Sequence, residues 1–238
     1  MLVMNWMNKK IVTIDVKDSM QDAITLLKEH DIRMLPVMKK GKLVGVVTDR
    51  DLKRTSASDV TMLEIHELLY LLAKIKVEEI MTKNPITVPF DYTVEEAAEV
   101  LLTNKISGAP VVDHEGQIVG TIAQTDIFRA VVSLTGLSKR GISFCFIVED
   151  RSGSIKEVTD IIRRYGGRMA SILSSYERIP KGYRRVYVRM YNVDHARLPL
   201  LKEELKEKAD LLYMADHHER IREIYEVEDF EVSAEVAA

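Results

Sequence analysis

Residues 34–51 read MLPVMKKGKLVGVVTDRD, and residues 108–126 read GAPVVDHEGQIVGTIAQTD. Each holds an apolar-Pro-Val step, at Leu35-Pro36-Val37 and Ala109-Pro110-Val111, and each ends on a Gly followed six residues later by an Asp. Working outward from them, Met7, Thr13, Ser19, Ala23 and Pro36 return at one constant offset as Met81, Thr87, Thr93, Ala97 and Pro110. After one inserted residue, Gly45 and Asp51 return as Gly120 and Asp126. A repeat of this length means two copies of one supersecondary unit. Neither copy is expected to bury its apolar face alone, so the two should stack and share a core, with function sought in the seam.

Each copy opens with a short apolar entry and then a helix. Thr93 and Glu96 have capping-box spacing, and Val94, Ala97, Ala98 and Leu101 follow on one helical face. Ser19, Asp22, Met20, Ala23, Ile24 and Leu27 repeat that register in the first copy. Two short strands come next, Met34–Met38 and Leu43–Val47, joined across Lys39-Lys40-Gly41. Their counterparts are Ala109–Val112 and Ile118–Ile122, joined across Asp113-His114-Glu115-Gly116; a Gly in such a connection signals a hairpin. A second helix is expected at Asp51 and at Asp126, so the unit reads β-α-β-β-α.

Between the copies, Thr61–Lys76 is helical by pattern, and Leu63, Leu68, Leu69, Leu71 and Leu72 make it apolar on more than one side. It reads as a linker helix packed on the repeats or, alternatively, as a dimer surface. After a polar connection at Ser133–Arg140, Ile142, Phe144, Phe146 and Val148 alternate as in a half-buried strand. A turn from Asp150 to Gly153 leads into a helix with Ile155, Val158, Ile162 and Tyr165 on one face, ended by Gly166-Gly167. Strands at Met169–Tyr176 and Arg185–Tyr191, a helix near His195–Lys206 and a strand at Leu211–Ala215 complete a β-α-β-β-α-β unit of ferredoxin-like type. The acidic tail from His217 is expected to be helical at first.

Composition narrows the classes. Apolar residues make up 46% of the 238 and charged residues 30%, which fits a globular protein. A net charge of −3 without a Lys/Arg stripe gives no reason to expect nucleic acid as a partner. No stretch approaches the ~20 apolar residues of a membrane span, and MLVMNWMNKK reverses the order of a secretory signal. A cytoplasmic location is expected. The single Cys145, between Phe144 and Phe146, allows no intrachain disulfide and reads as a buried structural thiol. His217-His218 lacks a third metal ligand at useful spacing, and His30 and His66 read as surface or packed residues. The chain carries no Walker loop, H-E-x-x-H or Rossmann glycine pattern and no nucleophile–base pair, so no enzyme, no required cofactor and no metal are expected.

The repeat resembles a CBS-domain pair. The Thr13 and Thr87 entries, the two Pro-Val steps and Gly45-Val-Val-Thr48-Asp-Arg-Asp51 carry the resemblance, the last matching the family's G-h-h-T-x-x-D/N signature. The C-terminal unit resembles an ACT domain, a small-molecule-sensing module. The order CBS–CBS–ACT is similar to the acetoin-utilisation accessory protein family, though architecture alone carries no metabolism over. The expected fold is α+β: CBS repeat 1 at 1–58, a linker helix at 59–76, CBS repeat 2 at 77–134, an ACT-like domain at 141–216 and an acidic tail at 217–238.

The resemblance implies an adenosine nucleotide (AMP, ADP, ATP or a relative such as S-adenosylmethionine) in the cleft between the repeats. Asp51 would accept from the ribose hydroxyls. Thr48 sits at a helix start, where a hydroxyl, backbone N–H groups and the dipole favour a phosphate, and Arg50 adds a cationic fork. Val12, Thr13 and Ile14 would line the adenine slot, with Met34, Leu35 and Pro36 beside it. Thr48 and Asp51 also have N-cap-to-N3 spacing and serve equally as a helix start. The second site would comprise Ile86, Thr87, Val88, Gly108, Ala109, Pro110 and Asp126. There Ala123 replaces the hydroxyl and Thr125 the Arg, so it is expected to be weaker. In the C-terminal unit, Asp150, Gly153, Ser154 and Ile155 would hold an amino-acid carboxylate or simply make a strand-to-helix turn. The leading expectation is a regulatory sensor, a homodimer acting on an unidentified protein. The alternatives are an assembly module with vestigial pockets and an enzyme acting on a bound nucleotide.

Overall fold

The computed structural model describes residues 1–59 and 72–225. They divide into two compact units, Met1–Ala130 and Val131–Ala238. The first copy in the first unit runs β1 (Ile14–Asp15), α1 (Met20–Glu29), β2 (Met34–Lys39), β3 (Lys42–Thr48) and α2 (Asp49–Asp59). Then come α3 (Val77–Ile80) and β4 (Thr82–Lys83). The second copy runs β5 (Val88–Pro89), α4 (Val94–Thr103), β6 (Gly108–Val112), β7 (Ile118–Ala123) and α5 (Gln124–Leu134).

Local chemistry accounts for these elements. Ser19 Oγ accepts from the Asp22 N–H at 3.1 Å while Asp22 Oδ2 accepts from the Ser19 N–H at 2.9 Å. Thr93 and Glu96 repeat the exchange at 3.2 and 2.7 Å. Each box occupies backbone donors that the first helical turn leaves unpaired. The Ser19 bonds also hold the Asp22 carboxyl below its ordinary pKa, because they favour its charged form. Met20, Ala23 and Leu27 are buried on α1, as are Val94, Ala97 and Leu101 on α4. The β2–β3 hairpin turns on Lys40 and Gly41, both at positive φ (52° and 78°), the conformation of a two-residue type I′ turn. The second helices begin at Asp49 and Gln124, two residues earlier than the sequence pattern suggests, because the cap precedes the carboxylate that completes it.

Among the described residues the copies form two apolar clusters rather than one. One cluster centres on Ile14, Val16, Met20, Leu35, Val37 and Val47, and another on Val88, Val94, Leu101, Ala109, Val111 and Ile122. What joins them is an exchange of their entry segments. The segment before the first copy lies on the second: the Val3 N–H donates to Tyr92 O at 2.8 Å, the Val94 N–H to Met1 O at 2.8 Å, and Asn8 bridges Thr121. The segment before the second copy lies on the first: the Val77 N–H donates to Asp18 O at 2.9 Å, the Met20 N–H to Ile75 O at 2.8 Å, and β4 pairs with β3 through Val46 and Thr82. Val3 and Val77 are fully buried, each in the other copy's cluster. The expected linker helix falls largely on residues 60–71, as does His66, outside the described residues; Leu72 at its end is buried with the first copy.

In the second unit, β8 (Ile142–Glu149), α6 (Ser154–Arg164), β9 (Arg168–Ser175), β10 (Tyr183–Tyr191), α7 (Leu198–Lys208), β11 (Asp210–Asp216) and β12 (Ile221–Ile224) succeed one another. The sheet order is β12-β11-β8-β10-β9, antiparallel at every pairing. Phe144, Phe146, Val158, Ile162, Val188, Leu201 and Leu205 are among its core residues. One expectation is overturned here. The start of the tail is a strand, Ile221–Ile224 on β11, rather than a helix. Its few residues gain a full ladder partner at the sheet edge, whereas an isolated helical turn gains little.

The entry exchange brings backbone against glycine. A Cβ built on Gly45 would lie 2.6 Å from Met81 Sδ and 2.9 Å from Thr82 O, and one on Gly120 would lie 2.7 Å from Met7 Sδ and 3.0 Å from Asn8 O. Gly45→Val and Gly120→Val are each expected to lower unfolding free energy by about 1–3 kcal/mol, as overpacking does. Urea titration measures this, and an unchanged midpoint in both variants would contradict the close approach.

Candidate functional site

Each copy turns from its third strand into its second helix beside a held carboxylate. Asp51 Oδ2 accepts from the Thr48 N–H at 3.0 Å and from the Thr48 hydroxyl at 2.6 Å, and Thr48 Oγ1 accepts from the Asp51 N–H at 3.3 Å. The helix-start reading of Thr48 and Asp51 is therefore realised in full, and the Thr48 hydroxyl is engaged in it. In the second copy Ala123 has no hydroxyl, and Asp126 Oδ2 accepts from the Ala123 N–H at 2.9 Å. The other oxygens face arginines three residues on: Asp51 Oδ1 is 3.7 Å from Arg54 and Asp126 Oδ1 is 3.3 Å from Arg129. Asp126 is only 8% exposed. Sequence reasoning missed Arg54 and Arg129, although Asp-x-x-Arg stands in both copies and i,i+3 residues are neighbours on a helix.

Sheet register decides what joins these carboxylates. β2 pairs antiparallel with β3 so that Met34 faces Thr48, and β6 pairs with β7 so that Gly108 faces Ala123. β1 runs parallel to β2 with Ile14 beside Val37, and β5 runs parallel to β6 with Val88 beside Val111. Val12 and Thr13 therefore lead in at the Met34–Thr48 end of their sheet, and Ile86 and Thr87 at the Gly108–Ala123 end of theirs. Thr13, Arg50, Ile86 and Thr125 are exposed, and Val12, Met34, Thr87 and Gly108 are half-buried. Ile14, Leu35, Pro36, Val88, Ala109 and Pro110 are buried, so they back this end of each sheet rather than face solvent.

In the second unit, Gly153 takes φ 90° just before α6, where a Cβ would be strained. Asp150 and Ser154 converge on one arginine: Arg184 Nε lies 3.6 Å from Asp150 Oδ1, and Arg184 Nη2 donates to Ser154 Oγ at 3.1 Å. Ser154 in turn donates to Arg151 O at 3.1 Å, an ordinary local closure of the turn. Arg151 donates to both carboxylate oxygens of Glu157 at 2.7 and 3.0 Å. With Lys208 also beside it, that carboxyl is held down to about 2. A cavity of about 230 Å³ adjoins this network, lined by Glu149, Arg151, Ser154, Glu157, Tyr183 and Lys208 among others. Asp150 and Ile155 do not line it.

Burial pushes the Cys145 thiol up to about 11, which leaves little thiolate at neutral pH. Among the described residues no group of three or more His, Cys, Asp or Glu side chains could hold a metal ion. No helix among them is long and apolar enough to cross a membrane.

The doubled β-α-β-β-α unit with a Thr/Ala-x-x-Asp cap at each second helix has clear relatives. The family model described as "CBS domain" matches residues 3–58 and 77–133. The chain is 31% identical over 134 residues to CBS domain-containing protein DDB_G0289609 of Dictyostelium discoideum, covering 56% of this chain and 92% of that one. It is 37% identical over 120 residues to the inosine-5'-monophosphate dehydrogenase of Korarchaeum cryptofilum, a match that takes in 50% of this chain but spans only 22% of the dehydrogenase. Among solved structures, the CBS domain pair of protein MJ0100, in complex with 5'-methylthioadenosine and S-adenosyl-L-methionine, is 32% identical, covers 55% of this chain and 99% of that chain, and superposes with a TM-score of 0.48. The chain belongs to the CBS-domain family.

The caps differ by one hydroxyl, and that difference is measurable. Thr48→Ala is expected to destabilise the first unit by about 1 kcal/mol, the usual value for a lost N-cap. Ala123→Thr is expected to stabilise it by a similar or smaller amount. Urea unfolding followed by circular dichroism checks both, and a neutral Thr48→Ala would show that the Thr48–Asp51 cap adds nothing.

Proposed function

We propose that this chain is a non-catalytic regulatory sensor that binds an adenosine nucleotide between its two CBS repeats. The observation that carries the reading is the pair of sheltered carboxylates, Asp51 and Asp126, each at the end of its sheet beside the Val12–Thr13 or Ile86–Thr87 entry. A capping oxygen fixes each carboxylate, and a carboxylate is an acceptor of the kind that suits the hydroxyls of a ribose. Arg50, exposed at the start of α2, is the cation for a phosphate. The Thr48 hydroxyl is engaged with Asp51, so phosphate binding falls to Arg50 and the backbone N–H groups of the helix start. Thr125 offers no such cation in the second copy. A hydrogen bond to a charged group contributes about 1.5–3 kcal/mol, or roughly 10- to 100-fold in affinity, so the first site is the tighter for phosphorylated ligands. A bound nucleotide acts on a partner protein by favouring one of two arrangements of the unit. The location that fits this role is the cytoplasm.

Isothermal titration calorimetry with AMP, ADP, ATP and S-adenosylmethionine tests this on the wild type, Asp51→Asn and Asp126→Asn. Asparagine keeps an acceptor for each cap, so binding is separable from folding. The expected result is a tighter site lost in Asp51→Asn and a weaker one lost in Asp126→Asn. Equal sites would sink the asymmetry. Silence with every compound would favour a second reading, an assembly module. Phe128 is 64% exposed on α5, beside the half-exposed Val131 and Val132, a patch that suits pairing with a second copy.

We also propose that the second unit is of ACT type, giving the CBS–CBS–ACT order of the acetoin-utilisation accessory proteins. Its β-α-β-β-α-β order and antiparallel sheet support the assignment. The start of α6 around Gly153–Ile155 is the place for an amino-acid carboxylate, with Arg184 beside it. A screen of the twenty amino acids for a rise in melting temperature should find at least one that stabilises the chain and loses its effect in Arg184→Gln. A flat screen would remove this part of the reading.

A further inference from the structure

The sheet of the second unit has two unlike faces. Phe144, Val186, Val188 and Met190 point to the core under the helices, so the alternating positions on the same strands point the other way. Arg189 stands there in register between Ser143 of β8 and Ser171 of β9, and Tyr187 pairs with Leu173. With Thr135 and Tyr213 these residues line a cavity of about 280 Å³. It is separate from the Asp150–Ile155 turn.

Three features give this cavity a chemistry. First, among the described residues Arg189 is anchored without a counter-ion: its Nε donates to Thr135 O at 2.7 Å and its Nη1 to Arg140 O at 3.0 Å, both neutral carbonyls. Burial disfavours its charged form, so an anion beside it would be strongly welcomed. Second, Ser143 Oγ is buried with no hydrogen-bond partner among the described residues, and buried hydroxyls are ordinarily paired. Third, no acidic side chain among the described residues lines the space, while Leu173, Tyr187 and Tyr213 supply apolar surface. The ammonium of an amino acid would find no partner there, and a single guanidinium matches one negative charge. The volume exceeds the roughly 150 Å³ that accommodates benzene, which leaves room for a ring-sized body and a carboxylate.

We propose that this cavity binds a small apolar monocarboxylate, its oxygens on the Arg189 guanidinium and Ser143 Oγ and its hydrocarbon body against Leu173, Tyr187 and Tyr213. The test is calorimetric titration of the full chain with benzoate, with benzamide and L-phenylalanine as neutral and zwitterionic counterparts. Benzoate is expected to bind saturably, and the two counterparts about 10- to 100-fold more weakly, as the loss of a charged hydrogen bond predicts. Arg189→Gln should lose benzoate by the same factor. Leu173→Trp, which fills the space without touching Arg189, should abolish binding while near-ultraviolet circular dichroism stays native, and it carries the test if Arg189→Gln does not fold. No saturable binding of benzoate, equal binding of benzamide, or wild-type binding by a folded Leu173→Trp would each overturn the proposal.

Discussion

The first unit depends on two places where one copy's entry segment lies directly on a glycine of the other. Gly45 admits the backbone at Thr82 and the thioether of Met81; Gly120 admits Asn8 and Met7 in the same way. Only a residue without a Cβ lets a main chain come so close. The exchange that follows places Val3 in the second copy's core and Val77 in the first copy's. Each copy thus lacks a buried valine and several backbone hydrogen bonds unless the other is present. Among the described residues the two cores are thus joined by crossed segments.

That arrangement bears on the site. Both held carboxylates belong to sheets whose edges are completed by the opposite copy's entry, at β4 on β3 and at Asn8 on Thr121. A ligand that draws on Asp51 acts on a sheet that already contains residues of the second copy's entry. The capping hydroxyl at Thr48, absent at Ala123, makes two halves of nearly identical topology chemically unequal.

The second unit solves its burial differently. Its helices cover one sheet face with aliphatic and aromatic side chains, while the other face mixes Arg189, Tyr187, Ser143 and Cys145. Alternation along β10 forces this division, since consecutive residues must point to opposite sides. The arginine and tyrosines leave hydrogen-bonding capacity on a surface that is partly desolvated, and the neutral carbonyls of Thr135 and Arg140 hold Arg189 in place.

The helices and their caps were legible in the sequence because they rest on short-range chemistry: Ser19 with Asp22, Thr93 with Glu96, and apolar residues three and four apart. The hairpin at Gly41 and the alternation of β8 and β10 were legible for the same reason, and so was the repeat itself, with Asp51 and Asp126 at its matching positions. Tertiary structure alone decided the crossing of the entry segments, the two clusters in place of one among the described residues, and the strand at Ile221–Ile224. Each of these turns on which distant backbone a segment meets. Periodicity records which face of an element is apolar; it carries no information about the partner that covers that face.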